Sequence, residues 1–320
     1  MPASLTRHDY SFSETKCALC GSLCYSTVYP QRLDLAVMDE DLFTARRVPD
    51  KLHYRVVKCR KCGLVFSNPI LSFGEIRRLY VASKFTYGSH TSDLKDTYAH
   101  YLKHYLNYVG NRENFLEIGC GNGFFLEVAL DLGFKNVYGV EPSHQAVAAA
   151  SPRVRNKIRS EMFDPSSFSS NQFDVISFFH TIDHVLNPNQ FLTGCYGLLS
   201  DSGIVLCICH NVESLPAKLL AERCPIIDVE HICLFSKSTL SRIFEKNGFN
   251  VIDVFDVSNR FSLEYWVQIF PFPTSLKRRA KDLLRMLRVE KWKLKLKAGN
   301  IGIVASKKGK TDGRSKPFAG

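Results

Sequence analysis

The stretch that most constrains this chain is Phe115-Leu116-Glu117-Ile118-Gly119-Cys120-Gly121-Asn122-Gly123. Phe115 to Ile118 is short and largely apolar, the pattern of a buried parallel strand. Glycines follow at alternate positions, and Phe124 to Leu130 reads as a helix. A strand, a glycine turn and a helix bring backbone close to a ligand beneath a helix N-terminus. The spacing G-x-G-x-G meets the G-x-G-x-x-G dinucleotide fingerprint only in part, and taken alone it also fits an uncommitted turn. Glu117 stands where a dinucleotide-binding strand is normally apolar, and a carboxylate there suits a cationic, amine-bearing ligand. Val137 to Val140 is a second apolar run that ends at Glu141, 22 positions after Gly119. An acid at about that distance grips ribose hydroxyls in doubly wound folds. Phe173 to Phe179 supplies a further strand and runs into His180.

With Glu117 included the motif reads E-x-G-x-G-x-G, and over residues 95–308 the chain resembles the class I S-adenosylmethionine-dependent methyltransferases. The resemblance implies a Rossmann-like, doubly wound α/β domain (112–308) with a mostly parallel seven-stranded sheet, S-adenosyl-L-methionine as cofactor, and methyl transfer as the reaction. It implies cofactor contacts at Glu117, Gly119, Cys120, Gly121, Gly123, Glu141 and Pro142, at Phe163 and Asp164 beside the adenine, and at His180. Many members carry G-D where this chain has Phe163-Asp164, and E-H where it has Asp183-His184. Further strands are expected at Lys157–Ser160 and Gly203–Asn211. A helix is expected at Ser238–Asn247 before Gly248, and a final antiparallel pair at Phe249–Val257 and Asn300–Ser306.

In front of this domain stand two C-x-x-C-G knuckles, Cys17 to Gly21 and Cys59 to Gly63. A two-residue spacer lets both thiolates of a knuckle reach one tetrahedral zinc, and the glycine permits the tight turn. Four cysteine ligands (Cys17, Cys20, Cys59 and Cys62) leave no open coordination position, so the metal would be structural. The competing reading is a pair of free-thiol turns, and Cys24 is read as packing. A zinc ribbon over 1–72 is followed by a helical linker over 73–111, which contains a capped helix start at Ser72, Tyr80, Tyr87 and an amphipathic helix from Leu94 to Val109. The pairing of ribbon, C-G-L-V-F-x-N-P exit (Cys62 to Pro69) and E-x-G-x-G-x-G domain resembles a bacterial group that includes the deoxysugar 3-C-methyltransferases. That resemblance implies a ribbon forming part of a substrate-side lid and a sugar, sugar-nucleotide or glycan-precursor acceptor. It also implies a general base at His231, with Glu230 orienting it or binding hydroxyls. His184, at the fourth-strand exit, is the rival base.

Charge separates the chain into two parts. Residues 274–320 hold fifteen Lys/Arg and three Asp/Glu, a balance of +12, which leaves −1 for residues 1–273. A nearly neutral body disfavours a nucleic-acid partner. The absence of a D-P-P-Y sequence after the fourth strand disfavours nucleobase methylation. An RNA methyltransferase gripping RNA through the ribbon, and a non-catalytic module on the same scaffold, are the rival functions. Within 274–297 a basic helical insertion places Leu276, Ala280, Leu283, Leu284 and Leu287 on one face. It suits peripheral contact with an anionic membrane, or simple docking with a solvated charged face. Residues 309–320 read as a disordered tail. No apolar run reaches the roughly 18 residues of a membrane span. An odd count of eleven cysteines, without a signal-peptide core, leads to the expectation of a reduced, cytoplasmic address.

Overall fold

The computed structural model describes residues 10–33, 52–83, 91–270 and 272–307. Tyr87, the 309–320 tail and most of the stretch between the two cysteine pairs lie outside the described residues.

The N-terminal part is built from short strands: β1 (Phe12–Ser13), β2 (Tyr25–Tyr29), β3 (Val56–Cys59), β4 (Val65–Ser67) and β5 (Ile70–Leu71). Helix α1 (Phe73–Ala82) starts at a capping box, in which the Ser72 side chain and the Glu75 carboxylate satisfy each other's backbone amides. Helix α2 (Thr91–Tyr105) then leads to β6 (Asn114–Ile118), α3 (Phe124–Asp131), β7 (Asn136–Val140), α4 (His144–Ala148) and β8 (Ile158–Arg159). The second half runs β9 (Phe173–Phe179), α5 (Pro188–Leu198), β10 (Leu199–His210), α6 (Leu215–Leu220), β11 (Cys233–Leu234) and α7 (Lys237–Lys246). It closes with β12 (Phe249–Ser262), α8 (Leu263–Ile269), α9 (Thr274–Met286) and β13 (Lys293–Lys307).

Seven strands form one twisted sheet in the order β12-β13-β10-β9-β6-β7-β8, with β13 antiparallel to both neighbours and the other pairings parallel. The fold is therefore the expected α/β methyltransferase-type sheet. Its order reverses between β6 and β9, so the crevice at their carboxyl ends is the natural ligand position. The apolar strands are near-continuous because both faces are covered. Alternate residues serve opposite cores: Val205, Cys207 and Cys209 face one, and Ile204, Leu206 and Ile208 the other. None of the eleven cysteines is in a disulfide.

Three expectations change. The ribbon, expected as a unit over 1–72, does not complete its own sheet: the four-stranded order is β11-β4-β3-β2, and β11 comes from Cys233–Leu234, beyond β10. Helix α2, expected as linker, packs into the second core. Tyr98 stacks on Phe179 at 4.2 Å and Tyr101 on Phe255 at 4.9 Å. The helical insertion expected to reach 297 stops at Met286. Lys293 to Lys297 instead pairs with Ser258 to Ser262, lengthening β12 and β13 well past the expected 257 and 300. The reason is visible in Lys-Leu-Lys-Leu-Lys: period-two alternation belongs to a strand.

Candidate active site

The three glycines of the β6–α3 turn all have positive φ, and their surroundings differ. A Cβ on Gly119 would sit 2.5 Å from the Thr181 hydroxyl, and one on Gly123 would meet Ile158 at 2.8 Å. Nothing lies within 4 Å of a Cβ built on Gly121. Gly119 and Gly123 are thus glycines for packing, while Gly121 presents bare backbone to open space. That space is a cavity of about 910 Å³ at the carboxyl ends of the strands, lined by Gly119, Gly121, Glu141, Pro142, Phe163, His180, His184, Glu230 and His231 among others.

Glu141 accepts hydrogen bonds from the Gly121 amide at 2.8 Å and the Ser143 amide at 2.9 Å, pinning the glycine turn to the end of β7. Burial raises its pKa, and those two amides work against the rise. Glu117 lies beneath the turn, 3% exposed, and its Oε2 has no hydrogen-bond partner. Burial, and then the nearby Glu141, push its pKa well above the ordinary carboxylate value. A buried carboxylate oxygen without a donor is costly to leave unpaired, so it favours a cationic or N–H-bearing ligand above it.

Four of the expected cofactor contacts, Glu117, Cys120, Gly123 and Asp164, do not line the cavity. The Cys120 side chain is 2% exposed, packs in the second core and stands against Gly139. Only its backbone belongs to the turn. Asp164 is exposed and accepts the Ser166 amide at 2.9 Å, capping its own short turn, so Phe163 alone of that pair lines the cavity.

Opposite the glycines the structure assembles four imidazoles. His180 follows β9 and His210 is the last residue of β10, with ring centres 4.5 Å apart, and His231 lies 4.5 Å from His210 and 4.7 Å from His184. His180 adopts φ 49°, a strained conformation held by its amide bond to the Ile208 carbonyl. Asp183 is fully buried and accepts from His210 Nδ1 at 2.6 Å. Burial opposes its charge, but the His210 bond and the surrounding imidazoles hold it well below the usual range. His184 Nδ1 meets the Tyr80 hydroxyl at 2.8 Å, and burial together with His231 lowers its pKa to about 4. Burial likewise lowers His210.

His231 is the opposite case. Burial works to lower it, yet its ion pair with Asp228 at 2.7 Å prevails and raises it to about 9. Asp228 Oδ1 also accepts the amides of Glu230 and His231 at 2.9 and 3.0 Å, so one carboxylate shapes the turn and charges the ring. A raised pKa favours the protonated, donating ring over the proton acceptor that the resemblance implies. Each of His184, His210 and His231 already has a partner at hydrogen-bond distance. Pairing therefore describes the cluster better than metal ligation, although its donor atoms approach within 4.8 Å. Asp183, His210 and Asp228 were not among the expected site residues. The signal available for Asp183 and His210 was their place just past two strand ends.

The ribbon reaches this site. The Ser67 hydroxyl donates to the His231 carbonyl at 3.1 Å, the Ser67 amide to the Ile232 carbonyl at 2.8 Å, and the Ile232 amide to the Asp183 carbonyl at 2.7 Å. At its tip, Cys17 Sγ lies 3.3 Å from Cys62 Sγ and Cys20 Sγ 3.5 Å from Cys59 Sγ, and all four sulfurs fall within 4.8 Å. That is the spacing of four thiolates about one tetrahedral ion. Burial opposes the Cys59 thiolate, but the amides of Cys62 and Lys61 bring its pKa down to about 7.

A family model described as a methyltransferase domain matches residues 90–254, just over half of the chain. The chain belongs to this methyltransferase family. The methyltransferase is 28% identical over 138 residues to the ubiquinone biosynthesis O-methyltransferase of Agrobacterium fabrum, covering 36% of this chain and 54% of that protein. A Caulobacter sp. protein of the same name is 28% identical over 113 residues, covering 33% and 44%. The chain spans about half the length of the curated relatives it matches. Among solved structures, a Bacillus halodurans protein titled a putative methyltransferase aligns at 15% identity and TM-score 0.48, covering 66% of this chain and 99% of that one. The geranyl diphosphate C-methyltransferase of Streptomyces coelicolor, solved with S-adenosyl-L-homocysteine, aligns at 15% identity and TM-score 0.45, covering 67% and 81%. S-adenosyl-L-methionine fits what this end of the molecule offers: bare backbone at Gly121 and the carboxylate of Glu141 on the cavity wall, with the unpaired Glu117 oxygen buried beneath the turn.

Proposed function

We propose that this chain transfers a methyl group to a hydroxyl of a small acceptor of the sugar or glycan-precursor class. The observation that carries the reading is the density of hydrogen-bonding groups on the cavity wall: His184, His210, Asp228, Glu230, His231, Asn259 and Asn300 all line it. A polyhydroxylated acceptor needs that many partners, because each buried hydroxyl left unpaired is costly. S-adenosylmethionine, when bound, supplies an electrophilic methyl group. Glu117 and Glu141 would hold its cationic and ribose portions, with Phe163 against the adenine. His210 is the proposed base. Asp183 holds its Nδ1–H, which leaves Nε2 as the acceptor for the hydroxyl proton, and its lowered pKa keeps it neutral. The protonated His231 then donates to the oxygen that gains charge, and Glu230 binds a neighbouring hydroxyl. Holding nucleophile and methyl group in line supplies much of the rate.

A second reading also has support. Much of the cavity wall is apolar (Ile76, Phe179, Leu186, Phe191, Leu219, Trp266), and the matched curated relatives are named for ubiquinone biosynthesis. A phenolic or prenylated acceptor would use that wall. Mass spectrometry of nucleotide-sugars, glycan precursors and hydroxylated aromatics incubated with the protein and S-adenosylmethionine separates the two. A methylated sugar product supports the first reading; methylation confined to the aromatics overturns it. We further propose that the four cysteines hold one structural zinc, the reading supported by their mutual spacing.

A further inference from the structure

Helix α9 leaves much of its apolar stripe in the open. In a soluble helix the apolar stripe packs inward and the charges face water. Here no residue of Thr274–Met286 is buried, and Leu276, Leu283, Met286 and the following Leu287 are 48–73% exposed. The side that meets the protein is mixed: Lys277, Ala280, Lys281 and Leu284 are half-buried, Lys277 and Lys281 bond to Gln268 at 2.8 and 2.7 Å, and the exposed Arg285 pairs with Glu264, both partners on α8. Arg278 and Arg279 are exposed and form no ion pair among the described residues. Beyond the helix, Trp292 is 67% exposed, and Phe270 and Phe272 stack on each other in the open at 5.5 Å. Leu294 and Leu296 of β13 and Leu215 and Leu219 of α6 are exposed as well. Of these, Leu215, Leu219, Phe270 and Leu296 also line the cavity, so the apolar surface is continuous with its mouth.

We infer that this surface is a docking face for an anionic lipid bilayer, which the cavity mouth then meets. Three observations select that occupant. Residues 274–297 carry ten Lys/Arg and two Asp/Glu, a balance of +8, which calls for a negative counterpart. A second copy would bring the same charge against itself. The exposed apolar residues combine Trp and Phe with Leu and Met under flanking Arg and Lys, the composition of a helix that lies in a membrane interface. Among the described residues no helix is long and apolar enough to cross a bilayer, so the contact is peripheral. Docking does not depend on which acceptor is methylated.

The test uses the full chain with vesicles of phosphatidylcholine alone or mixed with phosphatidylglycerol. The protein should co-sediment with the mixed vesicles, release at high salt, and leave the neutral ones unbound. Fluorescence adds a local readout, because Trp292 is exposed and the only other tryptophan, Trp266, is 5% exposed. Emission should shift to the blue on binding, and Trp292→Phe should remove the shift. Arg278→Gln with Arg279→Gln should weaken binding about 30-fold, from roughly 1 kcal/mol per basic side chain. Leu276→Glu with Leu283→Glu should abolish it while S-adenosylmethionine binding stays at the parent level. No binding to anionic vesicles, binding unchanged in these variants, or a stable dimer that shields Trp292 from quenchers without vesicle binding each overturns the inference.

Discussion

Asp228→Asn isolates the charge that sets the state of His231. The substitution keeps an oxygen where Asp228 Oδ1 now accepts the Glu230 and His231 amides, so the turn can persist. It removes the anion 2.7 Å from His231 Nδ1. His231 rises from 6.5 to about 9 in the folded chain. At 1.36 kcal/mol per unit, that is about 3 kcal/mol of coupling between a protonated ring and its surroundings. Because the folded value lies above the unfolded one, this stability is fully present below pH 6.5 and is lost as pH rises through 9. Urea unfolding of parent and variant should therefore differ by about 3 kcal/mol near pH 6 and by little near pH 10. An NMR titration should place the parent His231 near 9 and the variant much lower. A gap of constant size across that range, or a parent His231 titrating near 6.5, would refute the assignment of His231 as the charged member of the cluster.

The other predictions follow the same site outward. His210→Ala should lower turnover by roughly 10²–10⁴-fold at unchanged cofactor affinity, and Asp183→Asn should lower it by misorienting the ring; a His184→Ala variant that loses more than His210→Ala would move the base to His184. Gly121→Asn accepts the positive φ at small cost but fills the one open place over the turn, so titration calorimetry should show micromolar-range binding (about −8 kcal/mol) for the parent and little for the variant. Gly119→Ala should instead lower thermal stability, since its Cβ meets Thr181 at 2.5 Å. Elemental analysis should find one zinc per chain, and Cys59→Ser should lose it together with turnover, because the ribbon holds the backbone at His231 through Ser67; a metal-free variant of full activity would show that the ribbon does not position the site.

The glycine turn, the acids flanking it and the cysteine knuckles were legible before any coordinates because each is a local device. A backbone that must adopt positive φ calls for glycine, and a thiolate pair calls for a fixed spacer. Boundaries were legible where a cap marked them, as at Ser72 and Gly248. They failed at Lys293 to Lys297, where a basic composition was weighed above its period-two alternation. The site itself was only half visible. Phe163 lines the cavity while its neighbour Asp164 caps its own turn, a difference of side-chain direction that no motif carries.

The chain's own pattern determined the strand–turn–helix core, the class of ligand it takes and the presence of a four-thiolate cluster, since these depend on residues near one another in sequence. Tertiary structure alone set which histidine's pKa is raised and which are lowered. Asp183 and His210 stand 27 residues apart, and Ser67 and His231 stand 164 apart. Neither pair has any local reason to meet until β9, β10 and the ribbon close around them. A proton's position then follows from burial and from which carboxylate each ring happens to face. The same holds for α9: its pattern announces an amphipathic helix, but only packing shows that Lys277 and Lys281 are bound to the protein beside Leu284 while Leu276, Leu283 and Leu287 are left open.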